Sequence, residues 1–112
     1  MGGGVAPGDP FEALGDANRR AILELLRDRP RSVAEISDRM PISQPAVSRH
    51  LRLLKQARLV TDQPLGARRL YRLSGEGAEV VRVYMERVWG DAAARFRLAA
   101  DNTSPPAERD RR

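Results

Sequence analysis

From Pro10 onward the apolar residues of this chain recur at three- and four-residue steps, interrupted over residues 60–73 by a shorter alternating pattern. Pro10 opens a short helix that carries Phe11 and Leu14 and closes near Gly15. Asp16 caps a second helix, in which Ala21, Ile22, Leu25 and Leu26 form one stripe before Pro30 ends it. Ser32-Val-Ala-Glu35 is a capping box, whose hydroxyl and carboxylate each satisfy an orphan backbone N–H. Val33, Ile36 and Met40 then face one way, and Pro41 stops this third helix. Ser43 caps a fourth helix, with Pro45 in the first turn, where a missing N–H costs nothing. It runs to about Ala57. Val60–Gln63 and Arg68–Leu73 predict two short strands joined by the turn-like Pro64-Leu-Gly-Ala67. Tyr71 and Leu73 alternate with Arg72, which turns the former pair inward. Ser74 caps a long final helix that reaches about Ala99.

The predicted fold is therefore mainly α with a small β-hairpin, in the order α-α-α-α-β-β-α. With 112 residues there is room for one domain and one modest core, placed at residues 9–100. Residues 1–8 and 101–112 lack apolar periodicity and are expected to be disordered tails. The Gly-rich start shows no basic-then-apolar export signal, and no apolar run approaches the roughly 20 residues of a membrane helix. A cytoplasmic protein with no membrane partner is expected. Cysteine is absent, which removes disulfides, thiol redox sensing and thiolate metal sites together, and the only histidine is His50. No cofactor is implied.

The net charge of +5 matters less than its placement. Residues 43–73 hold seven basic side chains (Arg49, Arg52, Lys55, Arg58, Arg68, Arg69, Arg72) against one acidic, Asp62. Segments 11–42 and 74–100 together hold ten of each sign and cancel. A positive excess confined to one third of the chain suits a polyphosphate partner. A merely solvated arginine surface would look the same by charge alone.

Only Met40-Pro-Ile42 separates the short third helix from the longer basic fourth, the layout of a helix-turn-helix. On a helical wheel Val47, Leu51 and Leu54 share one side of the fourth helix. Pro45, Ser48, Arg49, Arg52 and Gln56 share the other, flanked by Gln44 and Lys55. The first group suits a core, the second a DNA major groove. Gln44, Ser48 and Arg49 lie in the N-terminal half, where side chains meet base edges. Arginine pairs bidentately with guanine, glutamine with adenine. Ser43 and the free N–H groups after it can hold a phosphate, since Ala46 leaves no carboxylate to close the helix start. His50 borders the apolar face, with a hydrogen bond either to a phosphate or to a group at the core edge. The hairpin then forms a wing: Gly66 frees its turn, and Arg68 and Arg69 carry two guanidinium groups toward the DNA backbone or a minor groove.

Ala13-Leu-Gly-Asp-Ala-Asn-Arg-Arg-Ala-Ile-Leu23, Ser43-Gln-Pro-Ala-Val-Ser-Arg-His-Leu-Arg-Leu-Leu54, Ala57-Arg-Leu-Val60 and Gly66-Ala-Arg-Arg-Leu-Tyr71 resemble the ArsR family of winged helix-turn-helix regulators, over about residues 10–97. The resemblance implies a homodimer that binds a partly palindromic operator, often its own promoter, and represses it. Metal-sensing members place a Cys-Val-Cys-like pair on the third helix, where this chain has Ala34-Glu-Ile-Ser-Asp38. Others place Asp and His pairs on the last helix, but residues 74–100 contain no histidine. The chain thus resembles a cysteine-free branch without metal sensing.

Along the last helix Val81, Tyr84, Met85, Val88, Trp89, Ala92, Ala93 and Phe96 form a band broader than so small a core needs. Phe11 and Leu14 of the first helix have little else to pack against. Both bands fit burial against a two-fold mate, which resembles the family's dimer of first and last helices. Two other classes remain open at this point. One is a winged-helix module that binds protein instead of DNA. The other is an enzyme, for which the chain offers no nucleophile–base pair or phosphate-loop pattern.

Overall fold

Each short helix starts where the sequence supplies an oxygen for an orphan backbone N–H. Asp9 Oδ1 accepts from the N–H of Phe11 at 2.7 Å and Asp16 Oδ1 from that of Arg19 at 3.0 Å. Ser32 Oγ accepts from the N–H of Glu35 at 3.2 Å while Glu35 Oε1 accepts from that of Ser32 at 2.8 Å, completing the capping box. Ser43 Oγ accepts from the N–H of Ala46 at 3.3 Å. The structure, a computed structural model, describes residues 8–103, except for the side chains at 93, 98 and 101–103. Its elements are α1 (Pro10–Ala13), α2 (Ala17–Leu25), β1 (Arg31–Ser32), α3 (Val33–Ser37), α4 (Gln44–Gln56), β2 (Val60–Leu65), β3 (Arg68–Leu73) and α5 (Gly75–Thr103).

The chain divides after Val81 into two compact units. In the first, Ile22 and Leu26 of the α2 segment meet Ile36 of α3 and Val47, Leu51 and Leu54 of α4. Ala13, Ala57, Leu59 and Val60 complete this core. The stripes expected on α2, α3 and α4 are thus the faces that pack. β3 is the central strand of a three-stranded antiparallel sheet in the order β1-β3-β2. A helix-turn-helix of α3 and α4, followed by a β-hairpin, is a winged helix-turn-helix.

Several boundaries differ from the sequence expectation. β1 was not expected: two residues, Arg31 and Ser32, pair with Tyr71 and Leu70, a run too short to show alternation. α3 ends at Ser37, so the link to α4 is longer than Met40-Pro-Ile42. The hairpin turn is tighter than Pro64-Leu-Gly-Ala67. Pro64 pairs with Arg69 and Leu65 with Arg68, leaving Gly66 and Ala67 as a two-residue turn with Gly66 at φ +63°. Proline is tolerated there because β2 is an edge strand. Tyr71 packs on the core as expected, whereas Leu73 is exposed. Gly8, assigned to the N-terminal tail, has φ +92°, and a Cβ on it would approach the Gln56 carbonyl oxygen to 2.9 Å. α5 passes the expected end near Ala99 to Thr103. The remaining tail residues, 1–7 and 104–112, lie outside the described residues.

The C-terminus of α4 is closed by a Schellman motif. Arg58 takes φ +61°, its N–H donates to Lys55 O, and the N–H of Leu59 donates to Leu54 O, both at 3.0 Å. The N–H of Gly77 in turn donates to Arg58 O at 2.8 Å, which ties the first turn of α5 to the end of α4.

The second unit is the rest of α5 from Arg82. Tyr84, Met85, Val88, Trp89 and Phe96 are exposed, Phe96 by 75%. Tyr84 and Trp89 meet edge to face at 6.0 Å, and the Arg87 guanidinium lies 5.6 Å from the Tyr84 ring centroid. No helix among the described residues is long and apolar enough to cross a membrane.

Candidate nucleic-acid interface

The buried stripe of α4 decides what the opposite side presents. With Val47, Leu51 and Leu54 fully buried, Gln44, Pro45, Ser48, Arg49, Arg52, Lys55 and Gln56 are all turned outward, as is the cap Ser43. The geometry brings the start of this face to the wing. Gln44, Arg68 and Arg69 line one cleft of about 250 Å³ with Ser32, Val33 and Ala34 of the α3 start. The start of α4 and the wing arginines therefore meet at one cleft of the first unit.

Not all of these cations are equally available. Lys55 Nζ lies 2.9 Å from Asp62 Oδ1, and Arg69 Nε donates to Asp62 Oδ2 at 2.8 Å. Arg72 donates to Gln63 Oε1 at 3.2 Å. Among the described residues Arg49, Arg52 and Arg68 make no ion pair. Burial alone would push the Asp62 carboxyl up. The hydrogen bonds and charges of Arg69 and Lys55 outweigh burial and hold it below the usual carboxylate range. This clamp was not anticipated. Its one sequence signal is that Asp62 is the lone acid within residues 43–73.

His50 is less exposed than the other residues of the expected DNA-contact set. It is only 9% exposed, and its Nδ1 lies 3.4 Å from NH1 of Arg19, itself 7% exposed. Of the two partners open to it, the structure supplies the core-edge group.

The expected dimer residues are also placed. Phe11 is exposed and Leu14 half-buried in the first unit, where Leu14 and Val81 border an apolar groove of about 280 Å³ with Leu23, Leu59 and Leu73. In the second unit Tyr84, Met85, Val88, Trp89, Ala92 and Phe96 are exposed. Ala93 lies on the same helix, its side chain outside the described set. Among the described residues no group of three or more His, Cys, Asp and Glu side chains could hold a metal ion.

Residues 16–62 match the family of bacterial regulatory proteins called the arsR family. The chain is 41% identical over 97 residues to the HTH-type transcriptional regulator Rv2034 of Mycobacterium tuberculosis, covering 87% of this chain and 91% of that protein. It is 39% identical over 56 residues to the transcriptional repressor SdpR of Bacillus subtilis, covering 50% of this chain and 62% of the other. Among solved structures it resembles a possible transcriptional regulator for arsenical resistance, with a TM-score of 0.69 and 34% identity over 86% of this chain and 98% of that one. It also resembles the homodimeric winged helix-turn-helix DNA-binding domain of a possible ArsR-family regulator from Mycobacterium bovis. There the TM-score is 0.59 and the identity 28%, over 87% of this chain and 80% of the other. With its winged helix-turn-helix and a relative matched over nearly its whole length, this chain belongs to the ArsR family and is a transcriptional regulator.

Proposed function

We propose that the protein is a homodimeric repressor that reads a partly palindromic double-stranded DNA operator. The observation that carries this reading is the outward face of α4. Gln44, Ser48, Arg49 and Arg52 stand clear of the core, beside a wing that presents Arg68 and Arg69. Gln44 and Arg49 have the chemistry for base edges. Ser48 lies between them in the half of the helix that meets base edges, Ser43, Arg52, Lys55 and the wing arginines serve phosphates, and Pro45 gives apolar contact at the groove floor. Repression is supported by the similarity to the repressor SdpR.

The dimer reading rests on apolar surface. A second copy that covers Phe11, Leu14 and Val81, and the band from Tyr84 to Phe96, removes it from water at roughly 25 cal/mol per Å². Two-fold symmetry then sets two α4 helices about 34 Å apart, one turn of DNA. Operator binding is proposed to be independent of metals, since the chain has no cysteine and encloses its one histidine. Such a protein works in the cytoplasm, on the nucleoid.

Selection of duplexes from a random-sequence pool tests the reading. The expected product is a site of two inverted half-sites about 10 bp apart, bound by two chains. A pool that yields no enriched sequence contradicts DNA reading. Stoichiometric Zn²⁺ binding with release of DNA contradicts metal independence.

A further inference from the structure

Asp62 occupies an unusual place for a carboxylate in a surface built to meet phosphates. Its side chain is 5% exposed, whereas those of its partners Lys55 and Arg69 are each 52% exposed. One oxygen is turned to the ammonium of α4, at 2.9 Å, and the other to the guanidinium of β3, at 2.8 Å. The same carboxylate therefore joins the recognition helix to the wing. Lysine has three donors and arginine five, so each keeps N–H groups for a phosphate after pairing. Those donors point from a held position. Arg49, Arg52 and Arg68 are held by no such pair among the described residues.

We propose that Asp62 is a positioning residue that sets sequence discrimination by tying the wing to α4, orienting Lys55 and Arg69 and withholding part of their charge from the DNA backbone. The proposal rests on the DNA-binding reading above. Two physical effects act together. A fixed negative charge near the interface opposes every phosphate, whatever the sequence, and so weakens non-specific binding. Pre-orientation of two cations helps only DNA in the register that α4 selects, and so favours the specific complex. Specificity is the difference between the two.

The test compares wild type with Asp62→Asn and Asp62→Glu, using fluorescence anisotropy over a salt series. The probes are a duplex that wild type selects from a random pool and an unselected duplex of equal length. Asp62→Asn should bind the unselected duplex several-fold more tightly at low salt and steepen log K against log salt by about 0.9 for each additional phosphate neutralised. The ratio between the two duplexes should shrink by about tenfold, which is the readout a merely structural role would not move. Asp62→Glu retains the charge and should keep the wild-type slope. Thermal unfolding of each variant monitors the fold, and Asp62→Ser replaces Asp62→Asn should the latter not fold. An unchanged slope and ratio, or an equal loss of binding to both duplexes, overturns the proposal. Wild type that fails to tell the duplexes apart is a separate result, and it overturns the DNA-binding reading itself.

Discussion

The guanidinium of Arg19 donates to Nδ1 of His50 across the packing of α2 on α4, at 3.4 Å. Its Nε also donates to the carbonyl oxygen of Ala13 at 2.8 Å, and NH2 reaches the Glu12 carboxylate at 3.4 Å, so one side chain joins α1, α2 and α4. A guanidinium only donates. Nδ1 must therefore accept, which places the imidazole proton on Nε2 and keeps the ring neutral.

A pH dependence follows from this arrangement. Burial lowers the His50 pKa, Asp16 opposes the shift, and the charges of Arg19 and Arg49 add to it. With the folded value below the unfolded one, the unfolded chain binds more protons in the window below about pH 6.5. The contribution of His50 to stability is thus fully present above that pH and is lost as pH falls through the folded pKa. Denaturant titrations from about pH 7.5 to about pH 5 should show wild type losing stability, and His50→Gln, which keeps an acceptor but does not titrate, losing less. Equal losses in both proteins would show that His50 does not carry the effect.

What the sequence concealed has a common cause. The caps at Asp16, Ser32 and Ser43, the stripes of α2 to α4 and the basic face of α4 all depend on neighbours within four residues, and periodicity exposes them. Arg19 and His50 lie 31 residues apart, so no local pattern announces that they meet. Asp62 looks like a stray charge until the hairpin register sets Tyr71 opposite it and brings Arg69 within reach. β1 depends on β3, far along the chain, and two residues cannot show a period. The face of α4 was legible for the opposite reason: its polar side follows from its apolar side.

The junction between α4 and α5 makes a paired prediction. Arg58 adopts a left-handed conformation that glycine takes without a Cβ penalty, and its side chain is 72% exposed. Arg58→Gly should therefore raise stability by about 1 kcal/mol. Gly77 is buried, and a Cβ there would collide with the Ala57 carbonyl oxygen and press on the Arg58 backbone. Gly77→Ala should destabilise by about 1–3 kcal/mol, within the overpacking range. Urea unfolding of the two variants reads both signs, and a neutral Gly77→Ala would refute the close approach.

Assembly can be tested apart from DNA. Trp89, 48% exposed, and Phe96 carry much of the apolar area on the second unit. The double change Trp89→Ala, Phe96→Ala should shift sedimentation from dimer toward monomer and weaken operator binding in parallel. A wild-type protein that sediments as a 12.5 kDa monomer while binding a selected duplex tightly would rule out the dimer.

The wing arginines should differ in degree. Arg68→Ala should weaken binding to all sequences alike and flatten log K against log salt by about 0.9 if it neutralises one phosphate. Arg69→Ala should change the slope less, because Asp62 already offsets its charge. Salt titrations in which neither variant changes affinity or slope would remove the wing from the interface.

Arg49 offers the sharpest test of sequence reading by α4. It is exposed in the N-terminal half of the helix and makes no ion pair among the described residues, so no carboxylate there competes with a base for its guanidinium. The measurement is the affinity ratio between a selected duplex and a scrambled one, for wild type, Arg49→Ala and Gln44→Ala. Each substitution should cost about 1–3 kcal/mol of discrimination, the value of one bidentate base pairing, while binding to the scrambled duplex changes far less. A ratio preserved in both variants, with affinity for the two duplexes lowered together, would mean that α4 only holds the backbone and that the sequence is read elsewhere.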